Sequence, residues 1–505
     1  MDTLDARLRA VCDISVPSAR ENAGRHEYDG TVQDLSPTGV RDALARLGSG
    51  DPLEDPHEEA HLAAAEEALR VELGELELHR RHPLVHLSNL DLASYDREYA
   101  PAEEREAARR SHVEAWPDAV AMALESLDEV SAPVAGALLG AARGLAEGLP
   151  EGDDDTLGRA REAHGRLVAH LEEAARTGDP DPSLGGNALA RLMGTAEATT
   201  VDLDVLAATA TQERDRLTAM LHDACARLDP AREPAQLVAD LLRDHPDIDG
   251  VLDEARQQTE EVLAFSRERS LAPHLDGECL VGPAPKSRSW AMAMMSWAAP
   301  AEADAPSWYH VTPPDPSWPA EEIEEWLSVF SRTTLPGITA HEVAPGHYAH
   351  GRSLRRGATP IRRTVMSMTF AEGWAHYVEE VMVEEGFRGE DPRFAIGVAL
   401  EALIRVTRLS SAIGLHTGAI TVDDATEMFV RDALMNRAGA ASEARRGTFD
   451  PTYGRYTWGK LAILDTRERA RLAWGEGFSL KRLHAALLDL GSPPIGLLDT
   501  AVHRG

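Results

Sequence analysis

The sequence predicts a mainly α-helical protein with a small β element beside a metal-binding cleft. Three observations carry this. Ala-, Leu-, Glu- and Arg-rich segments with helical apolar periodicity run from residue 1 to about 275. Helical character fades between Cys279 and Pro314, where Trp290, Trp297, Trp308 and Tyr309 stand among Pro and Ala. Two motifs rich in His and Glu then follow on segments that again read as helix. The chain thus divides into a helical part, 1–275, expected to form one wall of a cleft, and a part, 276–505, that carries both His- and Glu-rich motifs and is the expected metal-binding, catalytic part.

Taken in order, the helical segments are His57 to His79, Ala102 to Leu127, Asp155 to Arg176, Val201 to Leu228 and Asp249 to Leu271. Pro and Gly punctuate them at Gly48–Pro52, Gly178–Pro182 and Asp229-Pro230. Asp153, Asp154 and Asp155 suit a helix start, where carboxylates meet the positive end of the dipole. Trp308 to Thr312 has strand propensity, and a strand beside a metal helix suits peptide binding by edge pairing. Helices follow from Ala320 to Phe330, Leu335 to Arg356 and Ile361 to Glu385.

The chemistry concentrates in His341-Glu342-Val343-Ala344-Pro345-Gly346-His347, followed 25 residues later by Glu372. Two histidines and a carboxylate are what a catalytic zinc site draws from a protein when it keeps one position open. A Glu directly after the first His is where a metallopeptidase carries its general base. The histidines are six residues apart, so a straight helix would set them about 120° from each other. Pro345 and Gly346 are the residues that break and re-aim a helix. We therefore expect a helix through His341 and Glu342, a distortion at Pro345-Gly346, and His347 turned back toward the metal. On the next helix Glu372, His376 and Glu379 or Glu380 share one face. Glu372 is the expected third ligand. Glu379 can accept a hydrogen bond from a ligand histidine and fix its tautomer.

These residues resemble a known family. Gly337 to His347 and Ala371 to Glu379 look like the HE-x-x-PGH and EGWA-x-Y-x-E motifs of the bacterial domain-of-unknown-function 885 family. Arg408-Leu409 with Gly414-Leu415-His416, Tyr456 to Leu461, and Gly491 to Pro494 resemble its later segments. The likeness is specific over roughly 280 to 505. Where the family often carries an Asp between its "RL" and "GLH", this chain has Ala412. The resemblance implies one continuous domain over most of the chain. It also implies a large, two-lobed, zincin-like helical fold with a small hairpin or sheet near the site, and a peptidase-like activity. It moves Tyr456 and His416 forward as donors to the oxyanion of a tetrahedral intermediate, with Tyr453 as substitute. Arg405 and Arg408, three apart on one helix, can hold a substrate carboxylate.

Composition fits a soluble enzyme. The chain has 505 residues, with 43% hydrophobic and 27% charged. Cys12, Cys225 and Cys279 form no CxxC pair, so neither a disulfide framework nor a thiolate metal site is suggested. The N-terminus has no basic and apolar leader pattern, and the longest apolar run is too short to span a bilayer. The expected location is the cytoplasm. A net charge of −34 repels phosphate backbones, so nucleic acid is not an expected partner, and the short apolar runs leave a membrane unexpected as well. The expected function is a zinc-dependent hydrolase, one Zn²⁺ per chain, cleaving short peptides or a peptide-like metabolite. A non-haem Fe²⁺ site or another divalent metal, and a non-catalytic helical binding protein, stay open as alternatives.

Overall fold

The structure, a computed structural model, describes residues 4–505 except 286, 287, 289, 290 and 303, so Trp290 lies outside the described residues. The long helices form where the apolar period and the capping residues agree. Asp154 accepts from the Leu157 backbone N–H and starts the helix Asp155–Thr177. Asp202 does the same for Leu203–Leu228, and Ser367 for Met368–Glu384. The helix Ala102–Ser126 packs on Asp155–Thr177, and both close over a core of Trp116, Val120, Leu138 and Leu167. No described helix is long and apolar enough to cross a membrane.

The mainly α fold is the one expected, but several boundaries differ. The segment expected as one helix from His57 to His79 is an α-helix over Pro56–Leu69, a wider π-helical turn over Arg70–Glu75, and a short helix over Leu78–Arg81. The segment expected from Ile361 to Glu385 is two helices, Pro360–Thr364 and Met368–Glu384. The break falls where the Ser367 side chain caps the second helix by accepting from the Phe370 N–H. Leu335 to Arg356 also divides, into Leu335–Glu342 and His347–Leu354.

The β element is a three-stranded sheet in the order β1-β3-β2, with β1 Cys279–Gly282, β2 Ala293–Ser296 and β3 Ser307–Val311. β1 runs parallel to β3, and β2 runs antiparallel to it. The strand expected to offer a free edge, β3, is therefore central, with both edges paired. The edge strand β2 packs on the Leu335–Glu342 helix. Tyr309 of β3 reaches that helix through a hydroxyl pair with Thr339 at 3.2 Å.

Apolar clusters cross residue 275. Val251 and Val262 share a core with Tyr309, Trp374 and Val398, while Leu206 and Leu217 share another with Leu403 and Phe429. Burying each such aliphatic side chain contributes about 2 kcal/mol. Ala412 belongs to the second core and is buried in it. The helices Met368–Glu384 and Arg455–Trp474 meet at two glycines. A Cβ on Gly373 would lie 2.5 Å from the Gly459 Cα, so only glycine allows this approach.

Candidate metal centre

Residues 335 to 354 are buried throughout, a setting that leaves little room for alternative side-chain directions. The first helix ends at Glu342, and a sharp turn over Val343 to Gly346 restarts the chain at His347. The turn is held from both sides. Gly346 N–H donates to the Ala340 carbonyl at 3.2 Å, and the Trp374 indole N–H donates to the Pro345 carbonyl at 2.9 Å. A Cβ at position 346 would overlap the His341 carbonyl oxygen. Glycine is required there by space.

The turn brings His347 back to His341. Their rings are perpendicular with centroids 4.8 Å apart. Both Nε2 atoms converge on Glu372 Oε2, His347 at 3.2 Å and His341 at 3.5 Å. One donor atom from each of the three lies within 4.8 Å of the others. Metal bonds of zinc length set tetrahedral ligand atoms about 3.3 Å apart. The two measured separations match that spacing, and the donor set of two imidazoles and a carboxylate is one that zinc takes.

Behind His341 stands Glu379, fully buried, whose Oε1 meets His341 Nδ1 at 2.6 Å. Its other oxygen accepts from Arg405 Nη1 at 3.0 Å. Burial opposes the charge of Glu379, but Arg405 and His341 outweigh it and hold the carboxyl below its ordinary range. Burial and Arg405 likewise oppose protonation of His341. Its hydrogen bonds to Glu372 and Glu379 win, and its pKa is pushed up to about 9. Burial also works against ionised Glu372, and the positive charge that His347 and His341 bring keeps its pKa well below normal. This is a cluster of carboxylates around an imidazole that holds positive charge, either a proton or a metal dication. A metal bound there would displace a proton.

Glu342 points elsewhere on its helix. It is 9% exposed, its Oε2 is buried without a hydrogen-bond partner, and burial raises its pKa. Tyr456 is half-buried and stacks near His341, with ring centroids 6.3 Å apart. The guanidinium groups of Arg405 and Arg408 lie over its ring at 5.9 and 5.2 Å.

Four of the expected substrate-facing residues are engaged elsewhere. His416 is fully buried. Its Nε2 bonds the Gly447 carbonyl at 2.9 Å and its Nδ1 accepts from the Leu184 N–H at 3.3 Å. It also lies eleven residues beyond Arg405 on one helix, about 16 Å along the axis. Tyr453 is fully buried and its hydroxyl is paired with the Ser411 hydroxyl at 2.7 Å. Arg408 makes a two-pronged pair with Glu443, both contacts at 2.7 Å. Arg405 is bound to Glu379 and, at 3.4 Å, to Glu401. These four side chains build the walls and supports rather than present free groups. Glu380, the alternative to Glu379, is bound to Lys460 and Arg216. His376 is fully buried beside Glu379 and outside the three-residue cluster. His350 bonds the Gly491 carbonyl at 3.1 Å.

Two site residues escape a reading of the motifs. Trp297, just after β2, sets its ring 6.0 Å from that of His347. Glu401 supports Arg405, and the signal for it is present as an i, i+4 Glu–Arg spacing.

A family model described as "Bacterial protein of unknown function (DUF885)" matches residues 17–502. The chain belongs to this family. No curated protein matches it. Two solved structures are similar over nearly the whole of both chains. One is a "putative lipoprotein of unknown function" from Shewanella oneidensis, 19% identical with a TM-score of 0.76, covering 98% of this chain and 97% of that one. The other is a "putative lipoprotein" from Colwellia psychrerythraea, 16% identical with a TM-score of 0.78, covering 99% and 97%. At these identities the likeness is one of fold, and the DUF885 fold of this chain is shared along its length.

Proposed function

We propose that this DUF885 protein is a zinc-dependent hydrolase of zincin type that cleaves amide bonds in short peptides or a peptide-like metabolite. The observation that carries the reading is the convergence of His341, His347 and Glu372 beside a buried Glu342 oxygen that has no partner. His341, His347 and Glu372 would hold the zinc. Bound there, it supplies Lewis acidity toward a water and a substrate carbonyl. Glu342 takes a proton from the attacking water and delivers it to the leaving amine, a role suited to a carboxyl whose pKa burial has raised. Tyr456, whose ring stacks near that of His341, donates to the developing oxyanion. Glu379 and Arg405 keep the His341 ring turned so that Nε2 faces Glu372. A non-haem iron oxygenase has no use for Glu342, which favours hydrolysis.

Elemental analysis paired with a peptide-library cleavage assay tests the proposal. About one Zn²⁺ per chain is expected, and His341→Ala, His347→Ala and Glu372→Gln should each lose it. Full metal content in His347→Ala would remove that residue from the ligand set. Glu379→Gln tests the support behind His341. It should weaken zinc affinity about 10- to 100-fold by competition with a chromophoric chelator. An unchanged affinity would show that His341 is oriented without Glu379.

A further inference from the structure

A cavity of about 400 Å³ lies apart from the metal cluster, and none of His341, His347 or Glu372 lines it. One wall is a single face of the chain from Pro56 to Glu75. His61, Ala65, Ala68, Leu69 and Glu72 recur there at helical spacing. Eleven residues separate its ends, about 16 Å of helix. Between the ends the wall is apolar, and Leu192, Met193 and Met366 continue it across the cavity.

Each end carries a polar group that the protein leaves unused. Glu72 belongs to the π-helical turn Arg70–Glu75, a rare widening that tends to occur at functional sites. Among the described residues its carboxylate has neither a hydrogen bond nor an ion pair, and burial raises its pKa. His61, at the other end, is 1% exposed, and neither of its ring nitrogens has a hydrogen-bond partner. A buried polar group such as the His61 ring costs stability unless something pairs with it, and the half-buried Glu72 carboxylate lines the cavity with no partner from the protein. The other charged groups on the wall are already paired. Glu197 accepts from Ser367 and from the Ile495 N–H, and Arg455 is bound to Asp450. Among the described residues Glu197 has hydrogen bonds but no ion pair, so Glu72 is the carboxylate on the wall that has neither.

We infer that this cavity binds an elongated, apolar primary amine, with its ammonium on Glu72 and its far end toward His61. The ammonium supplies both the positive charge and the donors that a carboxylate in an apolar wall lacks. The apolar stem fills the strip between Ala65 and Leu69. A far end carrying a hydroxyl or amide can both donate to and accept from a neutral imidazole. This site is independent of the metal reading, and its test measures binding alone.

The probes are n-octylamine, 1-octanol and 8-amino-1-octanol, titrated calorimetrically into the full-length chain. The surface is acidic, so the titrations run in about 0.5 M salt, which screens exposed charge. Octylamine is expected to saturate one site about tenfold or more tighter than octanol, since a charge-assisted hydrogen bond is roughly twice as strong as a neutral one. Glu72→Gln should erase that preference. 8-Amino-1-octanol should bind tighter than octylamine, and His61→Leu should remove the difference. Ala68→Trp, which fills the strip, should abolish binding of all three. Equal affinity for amine and alcohol in the native chain would overturn the inference. So would an amine preference that survives Glu72→Gln, the result expected if the amine sits on the metal cluster or the general surface.

Discussion

Glu342→Gln is expected to keep the fold and the full zinc content of the native protein and to lose peptide hydrolysis. Glu342 adjoins His341 but is not among the converging ligand atoms, so the metal has no reason to leave. The substitution keeps shape and removes the ability to accept a proton. Loss of a general base costs about 10²- to 10⁴-fold in rate, and more is expected when one group serves both proton transfers. The amide also cannot carry the charge that burial disfavours, so the melting temperature should hold or rise slightly. Peptide binding should survive, making the variant a trap for identifying the substrate. Zinc content, melting temperature and turnover on one preparation check all of this. Unchanged turnover of a confirmed substrate would end the hydrolase reading, and loss of zinc would mean that the ligand set is wrong.

Gly346→Ala should be as damaging through space alone. The added methyl would overlap the His341 carbonyl oxygen, and the neighbouring Ala340 carbonyl leaves no direction of relief. Overpacking at a buried site costs about 3 kcal/mol at its upper range, and here the obstruction is backbone. Relaxation has to open the turn that returns His347 to His341. The expected result is a clear fall in melting temperature together with loss of zinc binding. Gly357→Ala is a suitable comparison, because its contacts are partly with the flexible side chains of Arg362 and Arg363. A folded Gly346→Ala that binds zinc normally would show that the turn tolerates another path.

The meeting of His341, His347 and Glu372 is legible in sequence because each step has a local cause. Pro345 and Gly346 are residue types that end a helix, and Glu372 and Glu379 lie two turns apart on one face of the next. What is not legible is which neighbour a side chain finds across the fold. Arg408 and Tyr453 read as substrate groups until Glu443 and Ser411 arrive to hold them. His416 is likewise claimed by Gly447 and Leu184, residues that no local pattern connects to it. The β element is half legible. Trp308 to Val311 shows its propensity, while four-residue β1 and β2 carry too little alternation to declare a sheet or its order. The helix break before Met368 has a readable mark in Ser367, a side chain that caps well, but an apolar period continuing on both sides conceals it.

The glycine contact between residues 373 and 459 has a mechanical meaning. Helices separated by side chains can slide, because rotamers rearrange to take up the movement. Here backbone rests on backbone, and no adjustable layer lies between the two. Glu372 is the residue before Gly373, and Tyr456 lies one turn before Gly459. The carboxylate and the phenol are therefore mounted on one stiff frame, with almost no play between them. If the protein opens and closes around a substrate, those two travel together. Any hinge would then lie outside this pair of helices.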